Sequence, residues 1–371
     1  MKKLLSVLLA IAITVTAIPV VSALEYDFWD ADGNQNRFYY EDNGNGTCKI
    51  TKFYGFKATE IFIPLEINGL TVTSIEAEAF ANKTSLTLVS IPAGVLSIGA
   101  KAFSGCINLS SVIIGNGVRV IFDQAFENCT SLTGIHLRNV EAIGQMCFYN
   151  CTAMTSINSN NLLTFIGARA FWKCSSLNFV RFSNTLETIS DYAFKDCIGL
   201  TTLTFPASLT RIGIGAFQGC TAVETINFGT GAIVIDGYAF ENCLALTEVT
   251  IPQTIVSIGT NAFQFRNEKD PQSKATHPVK IICNLGSAGV AYGVSSGAPT
   301  YIIDLQKEAI FGDIDGNGQI TIDDTIKMLR IISAIEPPLA ESEIFYNDIN
   351  SNGIIDLDDA RALLRRTSAI A

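Results

Sequence analysis

The dipeptide Ala-Phe recurs through the centre of this chain, with its Phe at Phe80, Phe103, Phe126, Phe148, Phe171, Phe194, Phe217, Phe240 and Phe263. Successive intervals are 23 residues, except for 22 between Phe126 and Phe148, and only the fourth copy replaces Ala, with Cys147. A repeat this short is one supersecondary unit that cannot bury its apolar face alone, so the copies must stack into a continuous core. One unit reads Phe194-x-x-Cys197-x-x-Leu200-x-x-Leu203-x-Phe205-Pro206-x-x-Leu209-x-x-Ile212-Gly213-x-x-Ala216-Phe217. Its short alternating run predicts a strand, with inward residues on either side of one outward residue. Val180-Arg181-Phe182, Ile226-Asn227-Phe228 and Val249-Thr250-Ile251 are examples. Pro92, Gly115, Pro206, Gly229 or Pro252 then ends the pairing. The Ile-Gly-x-x-Ala-Phe segment supplies the convex side, with Phe as a spacer between coils.

A period of 20–29 residues with Leu and Ile at fixed offsets falls in the leucine-rich repeat range. The pattern resembles the BspA-type leucine-rich repeats of bacterial surface and secreted proteins, over residues 48–303. Cys48-Lys-Ile-Thr, Thr59-Glu-Ile-Phe-Ile-Pro64, Ile67-Asn-Gly69 and Ser74-Ile75 resemble the family's opening unit. Ile281-Ile-Cys, Gly286-Ser-Ala, Tyr292, Gly297 and Tyr301-Ile-Ile resemble its closing unit. The resemblance implies a solenoid with a parallel β-sheet on its concave side, preceded by a lead over residues 24–47. The polar insert Asn267 to His277 is expected to loop out before the closing unit.

Seven cysteines, Cys106, Cys129, Cys151, Cys174, Cys197, Cys220 and Cys243, each sit three residues after a repeat Phe. Stacking places them in a buried ladder at about the 5 Å inter-strand spacing, close enough for disulfides between neighbours. Their odd number, and a position that demands a small apolar side chain, favour reduced packing thiols. No histidine repeats beside them, so catalytic use is not expected.

The outward strand residues form the expected concave face. One row holds Ser90, Ile113, His136, Asn158, Arg181, Thr204, Asn227 and Thr250, and the next holds Ser111, Ser156, Phe179, Thr202, Thr225 and Glu248. The candidate recognition residues are His136, Asn158, Phe179, Arg181, Thr204, Asn227 and Thr250. This face is polar and nearly free of aromatic rings, Phe179 excepted, which suits a protein ligand at least as well as a glycan. The two histidines, His136 and His277, stand near no G-x-S-x-G, H-E-x-x-H or C-x-x-C pattern. No acid pair is placed by the repeat as a glycosidase would require. The chain is therefore not expected to be an enzyme.

Near its end the chain writes a twelve-residue loop twice, from Asp313 to Asp324 and from Asp348 to Asp359, offset by 35 residues. Oxygen donors at such intervals curl onto one hard cation, Gly at the sixth position allows the tight turn, and the last carboxylate closes the cage. The ligands predicted for two Ca²⁺ ions are Asp313, Asp315, Asn317, Gln319, Thr321 and Asp324 in one loop. In the other they are Asp348, Asn350, Asn352, Ile354 (through its carbonyl), Asp356 and Asp359. Each loop runs into an amphipathic stretch, Ile326, Leu329 and Ile332 after the first and Ala360, Leu363 and Leu364 after the second. Pro337-Pro338 stops the first helix.

This duplicated half-EF-hand, residues 312–371, resembles a dockerin. The resemblance implies a small α-helical, calcium-dependent module that docks onto a cohesin of a scaffoldin, as in cellulosomes. It also implies contacts from loop positions 10 and 11 and helix positions 17, 18 and 22. These are Ile322, Asp323, Leu329, Arg330 and Ala334 in one copy and Leu357, Asp358, Leu364, Arg365 and Ala369 in the other. The best-known dockerins carry Ser or Thr at 10 and 11 and a basic residue at 17, and this chain departs from both. The near-identity of the halves implies docking in either of two orientations related by about 180°.

Met1 to Ala23 reads as a secretory signal peptide, with Lys2-Lys3, an apolar run from Leu4 to Ala17 and a small-residue cleavage site at Val21-Ser22-Ala23. No membrane span is expected in the mature chain. The formal net charge is −10, and removal of the two leading lysines makes it more negative. That disfavours nucleic acid and anionic membranes as partners. A short linker, Asp304 to Phe311, joins the modules. The reading is α+β by modules: a leucine-rich-repeat solenoid followed by a dockerin, forming a secreted, non-catalytic, cellulosome-associated adaptor. The solenoid would recognise a protein or cell-surface partner. The alternatives are a carbohydrate-binding subunit directed at plant cell wall and a hydrolase hidden in the cap regions.

Overall fold

A computed structural model of the chain describes residues 23–30, 33–159, 162–231, 233–265, 279–284, 286–302, 325–329 and 360. It divides into two compact units, one of residues 1–247 with 254–279 and the other of residues 248–253 with 280–371.

The first unit opens with an antiparallel meander, β1 (Leu24–Trp29), β2 (Gln35–Asp42) and β3 (Thr47–Tyr54). From β3 the pairing turns parallel and stays so. It runs through β6 (Leu70–Ile75), β8 (Ser97–Ile98), β10 (Val120–Ile121), β12 (Ala142–Ile143), β14 (Phe165–Ile166), β16 (Thr188–Ile189), β18 (Arg211–Ile212), β20 (Ile233–Ile235) and β22 (Ile255–Ile258). Each of these strands ends on the Ile five residues before a repeat Phe, followed by Gly in five of the nine coils, a segment that the sequence pattern assigns simply to the convex side. The short β5 (Glu66–Ile67) is the exception, pairing antiparallel with β6. The structure makes the nine a second parallel ladder.

The strands foreseen from the alternating runs form the other face. They are β4 (Glu60–Phe62), β7 (Leu88–Ser90) and β9 (Ser111–Ile113), then β11 (Gly134–His136), β13 (Ser156–Asn158) and β15 (Phe179–Arg181), then β17 (Thr202–Thr204) and β19 (Thr225–Asn227). Every pair is parallel, and from β7 onward the partners are one repeat apart, whereas β4 meets β7 across 28 residues. The single 22-residue interval costs no register. Its missing residue comes out of the turn between β11 and β12, where Arg138 takes a positive φ of 34°.

The repeat phenylalanines form the axis of the core. All nine lie within 2% of full burial. From Phe80 to Phe263 each ring stacks on the next with centroids 4.9–5.5 Å apart and planes within 17° of parallel. That step is close to the hydrogen-bonded spacing of neighbouring strands, about 4.7–4.9 Å, so one ring per coil fills the core without a gap. At the N-terminal end the stack is closed by Phe53, Phe38 and Phe28, which is the physical reason the meander caps this end.

Between the two ladders the chain turns through the Ala-Phe segment, and here too the backbone pairs between coils. Phe103 N–H donates to the Ala125 carbonyl at 2.7 Å, Phe126 to Cys147 at 2.8 Å and Phe171 to Ala193 at 2.7 Å. Two residues per turn adopt left-handed backbone. The second of them, two places after each Phe, is Asn82, Gly105, Asn128, Asn150, Lys173, Asp196, Gly219 and Asn242. Apart from Lys173 these are the residue types that tolerate that region best.

The seven ladder cysteines are free and fully buried. Each thiol donates to the carbonyl of a Phe one coil back, as Cys106 does to Phe80 at 3.1 Å, Cys174 to Phe148 at 3.2 Å and Cys220 to Phe194 at 3.1 Å. Burial pushes the Cys106 and Cys174 thiols up to about 12. It drives those of Cys129, Cys151, Cys197 and Cys220 well above the ordinary thiol range. An unfolded thiol ionises near about 8.5, so above that pH the unfolded chain releases protons that the folded chain keeps. Stability should therefore be full below about pH 8 and fall as pH rises through and beyond the unfolded value. Urea midpoints measured from neutral to alkaline pH check this, and a flat profile would contradict it. A thiol reagent should modify the ladder only after denaturation.

In the second unit, β21 (Glu248–Ile251), β23 (Lys280–Cys283) and β24 (Thr300–Ile302) form a parallel sheet. Helix α1 (Ala288–Ser296) crosses between β23 and β24 and ends on Gly297 in the left-handed region. Gly289 and Gly293 let it lie close. A Cβ on Gly289 would come within 2.6 Å of Cys283 Cβ, and one on Gly293 within 1.7 Å of Thr300 Oγ1. Residues 325–329 are helical. The interval Ile326–Leu329 predicts the apolar face, but Thr325 and Met328 are the buried pair and Ile326 and Leu329 are exposed. The buried stripe is thus the same i, i+3 spacing moved back by one residue.

Candidate recognition surfaces

Strand pairing lines up most of the expected recognition residues. His136, Asn158 and Arg181 are Cα partners across β11, β13 and β15, and Phe179 stands in the neighbouring row beside Ser156. Thr204 and Asn227 pair across β17 and β19, and Asn227 Nδ2 donates to Thr204 Oγ1 at 3.2 Å. His136, Phe179, Arg181, Thr204 and Asn227 are exposed and Asn158 half-buried. Thr250 is exposed but belongs to the second unit, opposite Ile282.

The face is less bare of aromatic rings than its repeats suggest. Phe62, at the end of β4, pairs in the same row as Ser90 and Ile113 and is 63% exposed. Phe179 is 52% and Ile113 46% exposed. Phe62 is missed by counting repeats because it lies 28 residues before its partner Ser90, whereas the 23-residue interval points to Ile67.

Both twelve-residue loops lie outside the described residues. With them fall the predicted Ca²⁺ ligands and the cohesin contacts Ile322, Asp323, Arg330, Ala334, Leu357, Asp358, Leu364, Arg365 and Ala369. Residues 1–22, the insert from 267 to 277 and the linker 304–311 lie outside them as well. Leu329 is described, helical and 40% exposed. Among the described residues no group of three or more His, Cys, Asp or Glu is placed to hold a metal ion. No described helix is long and apolar enough to cross a membrane.

The sequence profile of the BspA type leucine rich repeat region matches residues 49–178 and 141–269, with six copies. The chain belongs to the BspA-type leucine-rich repeat family. Its fold is similar to that of solved leucine-rich repeat proteins. A leucine-rich cell surface protein from Faecalibacterium prausnitzii is 28% identical, over 65% of this chain and 76% of that one, with a TM-score of 0.51. A leucine-rich repeat protein from Bacteroides ovatus is 23% identical, over 66% of this chain and 69% of that one, with a TM-score of 0.53, and shares the fold. No curated protein matches the chain. The matched residues end at 269, before the closing unit and residues 312–371.

Proposed function

We propose that the protein is an exported, non-catalytic adaptor, whose solenoid recognises a protein or cell-surface partner and whose C-terminal residues 312–371 dock it, through calcium, onto a cohesin. Family membership supports the first half, because BspA-type coils present a regular outward surface and the Faecalibacterium relative is described as a cell surface protein. The observation that carries the second half is the duplicated loop with its repeated helix surface, Leu329-Arg330 and Leu364-Arg365. A metal cage alone would not need that helix surface copied. The donor set of Asp, Asn and carbonyl oxygen fits a hard cation such as Ca²⁺. Capture of the full chain on immobilised cohesins of several types, with and without a chelator, tests the reading. Capture by none of them, or capture indifferent to chelation, would refute the docking half.

The exposed rings of Phe62 and Phe179 on the strand face favour a second reading, a carbohydrate-directed subunit in which they stack on sugar rings. Binding to a glycan array that disappears in Phe179→Ala would support it over a protein ligand.

A further inference from the structure

The turn side of the solenoid carries a cluster that the repeat does not require. Around the coils of Phe148, Phe171 and Phe194, the residues next to the buried Cys147-Phe148, Ala170-Phe171 and Ala193-Phe194 pairs are Tyr149, Trp172 and Tyr192, interleaved with Arg169, Lys173 and Lys195. Tyr149 and Trp172 meet edge to face with centroids 5.4 Å apart. Arg169 lies over Trp172 at 5.9 Å and Tyr192 at 5.5 Å. Lys173 lies over Tyr149 and Trp172, and Lys195 over Trp172 and Tyr192, all at 5.6–5.8 Å. Trp172 Nε1 donates to Asp196 Oδ2 at 2.9 Å, which fixes the indole and occupies a nearby carboxylate.

Three facts separate this cluster from ordinary solenoid surface. The place after the repeat Phe accepts almost anything, being Ala81, Ser104, Glu127, Gln218 or Glu241 in other coils, so the fold does not ask for Tyr and Trp on consecutive turns. Three cations converge on one spot of a chain whose net charge is −10. Every ring also has a cation of its own chain against it, so the ring faces are poor platforms for sugars, while Lys173 is exposed and Arg169 and Lys195 are half-buried, which leaves part of each cation open to a carboxylate.

We propose that this patch is a docking surface for an acidic protein segment. The inference rests on the reading of the solenoid as a recognition module and assigns recognition to the turn side instead of the strand face. Trp, Tyr and Arg are the residues that dominate binding hot spots. Cations already held against rings lose less side-chain freedom on pairing than free ones would.

The test uses the full chain and a fluorescent oligoglutamate peptide, followed by anisotropy. Saturable binding that weakens with added salt is expected. Arg169→Asn with Lys195→Gln should reduce affinity by at least about tenfold, the size of a hot-spot loss, with the melting temperature unchanged. Asn is chosen at 169 because it tolerates the left-handed backbone there. Phe179→Ala with Arg181→Gln should bind like the parent. Unaltered affinity in the Arg169/Lys195 variant would overturn the proposal, and so would a variant that only melts earlier, which would make the cluster an inter-coil staple. Polygalacturonate binding through the same residues in place of the peptide would overturn it in favour of an acidic glycan. Loss confined to the Phe179/Arg181 variant would overturn it too, while leaving the recognition reading of the solenoid standing.

Discussion

Phe171→Ala is expected to cost about 3–5 kcal/mol of folding stability, the range for deleting a fully buried aromatic ring. Phe171 has no exposed surface and stacks on Phe148 at 5.1 Å and on Phe194 at 5.0 Å. Its removal leaves a gap in a column of rings that the main chain cannot close, because the backbone ladders hold the coils at their spacing. The defect also falls between neighbours in a nearly one-dimensional structure, where each coil is stabilised by the two it touches. Urea unfolding should therefore show a lower midpoint and a broader or two-step transition, as the halves on either side lose their coupling. Phe171→Leu keeps most of the volume and should cost under about 1.5 kcal/mol. A loss below about 1 kcal/mol for alanine would show that the ring column is not what couples the coils.

The legibility of this fold follows from how many residues each feature uses. The Phe column and the Cys ladder are readable because each recurs as one residue type at one register, and a buried position in a stacked solenoid sees the same environment in every coil. The β11, β13 and β15 strands are readable because an inward residue such as Leu137 follows the outward His136. The second ladder is not, since strands of two residues such as Ser97–Ile98 are too short to show an alternation. The turns are half legible. Asn82, Gly105, Asn128 and Asn150 announce left-handed backbone. The earlier left-handed position holds Glu78, Lys101, Gln124 and Tyr192, types that avoid that region on their own and take it because the ladder on either side imposes it. Trp172 taken singly is only the residue after a repeat Phe. Set beside Tyr149 and Lys195 at the same register, and Arg169 and Tyr192 three places earlier in their coils, it marks the cation-lined cluster. Phe62 hides for another reason, standing in the row of Ser90 but 28 residues before it, off the count of the repeat.

Asp313→Ala combined with Asp348→Ala should abolish cohesin capture altogether, under the docking proposal. These residues hold the first position of each twelve-residue loop, and each loop brings only three carboxylates to its cage. Losing one removes both a ligand and a third of the charge that attracts the ion. In so short a segment, too small to bury a large core, metal binding and folding are expected to be one process, so the loss is a loss of structure as well as of affinity. Calorimetric titration of the parent should find two calcium sites, and circular dichroism should gain helix as they fill, whereas the double variant should show neither. A chelator should reproduce the variant's behaviour in the parent chain. The near-copy of the helix surface sharpens the expectation. Replacing Leu329 and Arg330 alone, or Leu364 and Arg365 alone, should leave capture largely intact if either half can face the cohesin, and replacing all four should remove it. A large loss from one pair only would mean a single fixed orientation. Full capture by the double aspartate variant would mean that the partner reads something other than a calcium-folded plug.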